Sequence, residues 1–414
     1  MKNKSNNFLF YTDWDQTVTG SAPALAGTLA AFATEFGLSG NVWQQWLTYI
    51  LMMDDNAFTL ACERREILPD STLMQLAERD LAIFMELFRT EESDFDEDEG
   101  LLPLMLDYKS PYEGECMTDA GRRIRELSCS LAEASDVKDF SRILTEYYAK
   151  YGAGMYGLYK AFRVDPDAGG SAELKLVPVT DSADVSFDDL VGYGSQKKTL
   201  RDNTEAFVSG HYANNVLLYG DSGTGKSTSV HALMHEYSDR GLRLIEVAKT
   251  DRSRLSQILA SIKKRNYRFI LFLDDLSFEE NESDYKELKA MLEGALETRS
   301  DKVLIYATSN RRHLIRETWG DRSDMEYNED VHRSDTMEEK LSLAARFGVT
   351  IYYPKPDPRE YLEIVRELAA RSGIELGGQA LDDAARKWEL RHGGMSGRTA
   401  SQLITWLDGT ETEQ

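Results

Sequence analysis

Between Asn214 and Val230 the chain reads NNVLLYGDSGTGKSTSV, an order of residue types that fits the holding of a polyphosphate. Gly220, Gly223, Gly225, Lys226 and Ser227 satisfy the pattern G-x-x-x-x-G-K-[ST]. In that pattern backbone N–H groups released by glycine conformations wrap the α and β phosphates, and a helix N-terminus faces the anion. The expected binding surface runs from Gly220 through Asp221, Ser222, Gly223, Thr224 and Gly225 to Lys226, Ser227 and Thr228. Lys226 would neutralise charge between the β and γ phosphates, and the Ser227 hydroxyl would sit on Mg²⁺. A glycine-rich turn with an incidental lysine is the competing reading. The strand-like run at 216–219 and the helix-compatible run at 227–237 argue against it.

A second constellation lies downstream in FILFLDDL, where an apolar run delivers Asp274 and Asp275 to the end of a strand. Open α/β sheets place their chemistry at that end. Asp274 would hold Mg²⁺ through water or beside Ser227, and Asp275 would orient and deprotonate an attacking water. An Asp pair after a strand also serves as a helix cap; the glycine loop upstream favours the catalytic reading.

The elements that must position these residues follow from periodicity. Strand-like runs at 216–219, 242–248, 269–273, 302–307 and 349–353, separated by helix-length segments, predict an α/β fold with a parallel sheet covered on both faces. Residues 21–160 read as helical instead. Leu73, Ala77, Leu81, Phe84 and Phe88 recur three or four apart, and weaker patterns of the same kind cover 22–36, 41–53, 119–132 and 137–151. The tyrosine-rich stretch 147–162 could stack bases or grip a peptide, but packing at the end of the helical region is favoured. The acidic block EESDFDEDEG at 91–100 reads as a solvated loop, and DPDAGGSA at 165–172 as a linker.

With those signals in place, residues from about 185 to 406 resemble an AAA+ ATPase module. FDDLVGYGSQKKTL at 187–200 resembles the segment whose turn at Val191 and Gly192 lines the adenine pocket. YATSN at 306–310 ends in Asn310, which resembles the polar sensor that positions water near the γ-phosphate. EEKLSLAARFGVTIYY at 338–353 resembles the segment that presents an arginine finger across a subunit boundary, with Arg346 as the candidate. GGMSGRTASQLITWL at 393–407 fits the last helix of a small lid, with Ser396 as N-cap and Arg398 in the first turn, where a second sensor arginine reaches the γ-phosphate. More narrowly, the combination is similar to a bacterial AAA+ family catalogued only as a domain of unknown function. The resemblance implies ATP and Mg²⁺ as ligands and a homo-oligomer as the working state. Two departures stand out. Asp275 occupies the usual place of Glu, one methylene shorter, which implies slow or conditional hydrolysis with Glu279 as a less direct alternative base. The segment 248–268 lacks an aromatic-hydrophobic-glycine pore loop and carries Lys249, Arg252, Arg254, Lys263, Lys264, Arg265 and Arg268 against Asp251. Nucleic acid is one counterpart for that charge; an acidic neighbour or plain solvent is the other.

Composition bounds the rest. The 414 residues carry 71 acidic against 48 basic side chains, a net charge of −23, which disfavours non-specific attraction of the whole molecule to nucleic acid or anionic membrane. Cys62, Cys116 and Cys129 are too sparse for a disulfide framework or zinc knuckle and read as reduced thiols in a cytoplasm. The apolar runs at 24–33 and 46–53 are too short to span a membrane, and the first residues lack a signal-peptide core. The expected division is a helical N-terminal domain over 1–164 that binds a protein partner, a linker at 165–183, an AAA+ core over 184–356 and a helical lid over 357–414. The expected function is an ATPase that loads or remodels a partner assembly. The alternative is a nucleotide-gated interaction protein with slow hydrolysis.

Overall fold

The computed structural model describes residues 8–11, 22–91, 101, 103–110, 118–165, 174–180, 185–276, 288, 292, 301–310, 346–374 and 376–411. Most of the acidic block at 91–100, Cys116, Glu279 and residues 338–345 lie outside them. The chain divides into two compact units, Met1–Lys160 and Ala161–Gln414.

The first unit is helical: α1 (Ala22–Phe36), α2 (Val42–Met53), α3 (Ala57–Glu63), α4 (Thr72–Phe88), α5 (Asp119–Ala132), α6 (Val137–Tyr151) and the single turn α7 (Met155–Leu158). Short polar side chains start five of them. Asn41, Asn56, Ser71, Thr118 and Asp136 each accept a backbone N–H of the first turn. The predicted stripe on α4 buries Ala77, Leu81, Phe84 and Phe88 in one core with Trp43, Trp46, Phe140 and Tyr148. The tyrosine-rich stretch takes the packing role: Tyr147, Tyr148 and Tyr156 are buried, and the Tyr148 hydroxyl donates to the Leu51 carbonyl at 2.6 Å.

The second unit holds a sheet of β1 (Ala161–Val164), β2 (Leu176–Pro178), β3 (Val216–Gly220), β4 (Leu242–Glu246), β5 (Arg268–Leu273), β6 (Val303–Ser309) and β7 (Val349–Tyr353), in the order β2-β1-β4-β5-β6-β3-β7. Every pairing is parallel except β1 with β2. Along the core strands alternate residues enter opposite cores. Val216, Leu218, Ile270, Phe272 and Tyr306 pack with Leu200, Phe207, Val230 and Leu233 of α8 (Gly194–Val208) and α9 (Lys226–Tyr237). Leu217, Ile245, Leu271 and Leu273 are equally buried on the other face, where a strand covered on both sides must be apolar throughout. A short helix α10 (Leu255–Ile262) buries Leu255, Ile258 and Ile262.

The antiparallel pair β1–β2 falls across the boundary expected at 164 and inside the expected linker. Two short strands of four and three residues carry too little periodic signal to stand out. Through the pairing of β1 with β4 they extend the sheet.

After β7 come α11 (Pro358–Arg371), α12 (Gly378–Arg391) and α13 (Gly397–Glu411), packed through Tyr361, Val365, Leu381, Ala385, Leu403 and Leu407. Asp357 and Glu360 form a capping box at the start of α11, and Arg366 meets Asp382 of α12 at 2.6 Å. The first unit is thus helical, and the second combines a mostly parallel sheet and its helices with three C-terminal helices, in line with the fold class expected from the sequence. Among the described residues no helix is long and apolar enough to cross a membrane.

Candidate nucleotide-binding site

The apolar run 216–219 ends as β3, and its last residue, Gly220, turns at φ 137° so close to the Tyr353 carbonyl of β7 that a Cβ would collide with it. Gly223 and Gly225 follow at φ 77° and 87°, left-handed values that suit glycine. A Cβ on Gly225 would overlap Leu190, whose side chain lies against the loop. Gly220→Ala is therefore expected to destabilise the second unit by about 1–3 kcal/mol from backbone strain alone, with more from the clash. A lower denaturation midpoint at unchanged m-value is the measurement that checks it.

Lys226 opens α9 and is buried, with its ammonium donating to the carbonyls of Gly220 (2.8 Å) and Asp221 (2.6 Å) and to Asn310 Oδ1 (3.1 Å). Burial lowers its pKa below the ordinary 10.5, while Asp221, Asp274 and Asp275 pull it back up.

The acid pair leaves the end of β5 where predicted. The strand beside it is β6, which separates β5 from the glycine-loop strand β3. Bridging therefore falls to β6 side chains. Thr308 Oγ1 donates to Asp274 Oδ1 at 2.5 Å and accepts the Asp275 N–H at 2.9 Å. Ser227 Oγ donates to the same Asp274 oxygen at 2.6 Å. Asn310 Nδ2 donates to Asp275 Oδ1 at 3.0 Å, so Asn310 links Lys226 to Asp275. Asp275 sits at φ 47°, a left-handed conformation that Asp tolerates better than most residues but still at a cost.

The lid contributes Arg398. Ser396 Oγ accepts the Thr399 N–H at 3.1 Å and so caps α13. The Arg398 N–H donates to the Gly223 carbonyl at 3.2 Å, which ties the start of that helix to the glycine loop.

A cleft of about 480 Å³ joins these parts. Its polar end holds Ser222, Gly223, Thr224, Gly225, Lys226, Ser227 and Thr228 with Asp274, Asp275, Asn310 and Arg398. Its apolar end holds Leu190, Val191 and Tyr193 with Ile364 and Leu368 of the lid helix α11. Gly192, Gly220 and Asp221 do not line it: Gly192 supplies a φ 82° turn, and the carbonyls of the other two accept from the Lys226 ammonium. Arg346 lies in the turn before β7, is exposed and does not line this cleft. Sequence reasoning missed Thr308, Tyr193, Ile364 and Leu368. The motif YATSN could have flagged Thr308, and the quoted segment at 187–200 contains Tyr193; Ile364 and Leu368 depend on tertiary placement.

The donor set suits a hard cation: a serine hydroxyl and a carboxylate converge, and phosphate oxygens and water would complete the octahedron that Mg²⁺ requires. Among the described residues no cluster of three or more His, Cys, Asp or Glu could hold a metal by itself.

The basic segment 248–268 is less available than its composition implies. Arg252 is buried and donates to the Asp274 carbonyl, and Arg265 is buried over the Tyr267 ring. Arg268 donates to the Asp301 carbonyl and covers Phe207. Lys249, Lys263 and Lys264 remain exposed.

Among known proteins, the chain is 26% identical over 117 residues to the replication factor C large subunit of Methanococcus vannielii, a match covering 27% of this chain and 24% of that one. The chain thus spans about a quarter of the length of that curated relative. It is similar to the Thermotoga maritima RuvB Holliday junction branch migration motor, at 19% identity and a TM-score of 0.38, over 53% of this chain and 63% of that one. The FIGL-1 AAA domain in complex with ADP is similar at 19% identity and a TM-score of 0.38, over 55% of this chain and 75% of that one. The family described as "Protein of unknown function (DUF815)" matches residues 159–411, a span that starts beside β1 and ends with α13. That span is well over half of the chain, and the chain belongs to this family.

Proposed function

We propose that the protein binds ATP with Mg²⁺ and hydrolyses it, using the cycle to load or remodel a partner assembly. The observation that carries this reading is the convergence of Ser227, Thr308 and Asp274 beside Lys226, Asn310 and Asp275, drawn from the ends of β5 and β6 and the start of α9. Loop N–H groups and Lys226 bind the phosphates, and Leu190, Val191, Tyr193, Ile364 and Leu368 enclose the base. Ser227 and Asp274 would hold Mg²⁺, which when bound neutralises charge on the β and γ oxygens. Asp275 accepts the proton of the attacking water once its carboxylate is released from Asn310. Arg398 brings the lid to the phosphate end, so closure and nucleotide state are linked.

One observation favours a second reading, a nucleotide-gated interaction protein. Asp275 is short, strained and already engaged by Asn310, an arrangement that suits slow hydrolysis acting as a timer. Steady-state turnover with and without DNA, RNA and cell extract separates the two. Two of the similar proteins are named for replication and for the Holliday junction; in this chain the inward-facing Arg252, Arg265 and Arg268 weaken a nucleic-acid surface on 248–268.

Lys226→Ala tests the binding site itself. ATP affinity should fall by roughly a hundredfold or more, because backbone donors do not replace a buried cation at the phosphates. The first unit should stay folded. Wild-type affinity should also decline as pH rises through the lowered pKa of Lys226, since only the ammonium form attracts phosphate. Calorimetric titration that finds the variant within a few-fold of wild type overturns the assignment of this loop.

A further inference from the structure

The Asp274 carbonyl and the Asp275 N–H belong to one planar peptide unit, and its rotation sets the aim of both carboxylates together. Both ends of that unit are held by side chains. Thr308 Oγ1 accepts the N–H at 2.9 Å, and Arg252 Nη2 donates to the carbonyl at 3.2 Å. Arg252 comes from a short 3₁₀ segment, Lys249–Arg254, which the chain enters directly after the last rung between β4 and β5, Val247 N–H to Phe272 O at 2.9 Å. Lys249, Thr250 and Ser253 of that segment are exposed, yet Arg252 is only 3% exposed. A guanidinium is costly to bury, and this one is turned inward onto the acid turn. The turn needs such support, because Asp275 at φ 47° persists only where its surroundings over-determine it.

The same 3₁₀ segment walls a second groove of about 960 Å³, lined also by Arg163 of β1 and by the His231–Glu246 pair at 3.1 Å. Asp274 lines both this groove and the nucleotide cleft. Arg252 therefore joins the wall of one cavity to the peptide that orients the reacting groups of the other.

We propose that Arg252 is a positioning residue for hydrolysis: together with Thr308 it clamps the 274–275 peptide, and it passes displacement of the 249–254 segment to the acid turn. This rests on the ATPase reading for its effect on rate, but the clamp itself does not. Arg252→Met keeps the length of the buried stem and removes the donors; Arg252→Lys restores one donor. In the full chain, Arg252→Met should bind ATP with near wild-type affinity while kcat falls about tenfold, the equivalent of one charge-assisted hydrogen bond. Amide hydrogen exchange in peptides covering 269–276 should rise at the turn, with no change in peptides from β3 or β6. Arg252→Lys should recover part of both. Wild-type kcat and wild-type exchange in Arg252→Met overturn the proposal. So does a parallel loss of ATP affinity and thermal stability with exchange raised throughout β4 and β5, which marks a packing role only. If the wild-type protein hydrolyses no ATP, the proposed function falls, and the exchange measurement still decides the clamp.

Discussion

Arg346→Ala should bind ATP much as the wild-type protein does and turn it over on the order of a thousand-fold more slowly, the loss that follows removal of an arginine supplied in trans. Its placement is the reason. Phe347 is buried and Gly348 packs against Asn214, so the turn before β7 is fixed while Arg346 itself is exposed and absent from the cleft of its own chain. On the proposed reading, an exposed arginine on a fixed turn outside its own cleft acts on the phosphates of a neighbouring copy. The decisive experiment mixes two inactive proteins, Arg346→Ala and Lys226→Ala, under conditions of subunit exchange. A Lys226→Ala subunit still offers Arg346 to an intact site next door, so mixed assemblies should regain part of the activity. Mixed oligomers that form and hydrolyse nothing at any ratio would remove the trans role.

Asp275→Asn should hold ATP and lose hydrolysis by about 10²–10⁴-fold, the usual share of a general base. The structure makes this a clean substitution. An amide oxygen can still accept from Asn310 Nδ2, the backbone N–H still reaches Thr308 Oγ1, and asparagine tolerates the φ 47° conformation as aspartate does. What changes is the capacity to accept a proton. Rapid-quench turnover close to wild type would move the base elsewhere, with Glu279 the alternative that sequence offers. The same variant, loaded with ATP, is the appropriate bait for affinity capture of a partner.

Much of the site is legible in the sequence because its parts are local. The glycine loop needs left-handed φ at fixed positions, and only glycine supplies these cheaply, so Gly223 and Gly225 announce themselves. The strand at 349–353 and the helices at 22–36, 119–132 and 137–151 match their predicted limits, since each is a periodic run closed by a cap or a turn. Arg398 falls in the first turn of α13 because Ser396 fixes where that helix starts. The remainder depends on which strand lies beside which. Nothing local reveals that β6 comes between β3 and β5, and without that order Thr308 reads as one more polar residue in a strand. The cations of 248–268 show the converse failure: composition counts charges, while direction decides whether they meet solvent or a carbonyl.

The position of β6 between β5 and β3 makes the site a matter of parity. Thr308 and Asn310, two apart, both face the acid pair, while Ser309 between them turns to the Leu276 carbonyl at 2.9 Å. A single-residue insertion or deletion within β6 would exchange these two faces, presenting Ser309 to Asp274 and hiding both partners of the acid turn. A two-residue change would restore the faces but slide them along the strand by roughly 6.6 Å, beyond the reach of any hydrogen bond. Point substitutions on the far face of β6 are a matter of packing, whereas its length admits no drift, and lineages carrying this site should vary in the loops at either end of the strand and never in the residue count between Val303 and Asn310.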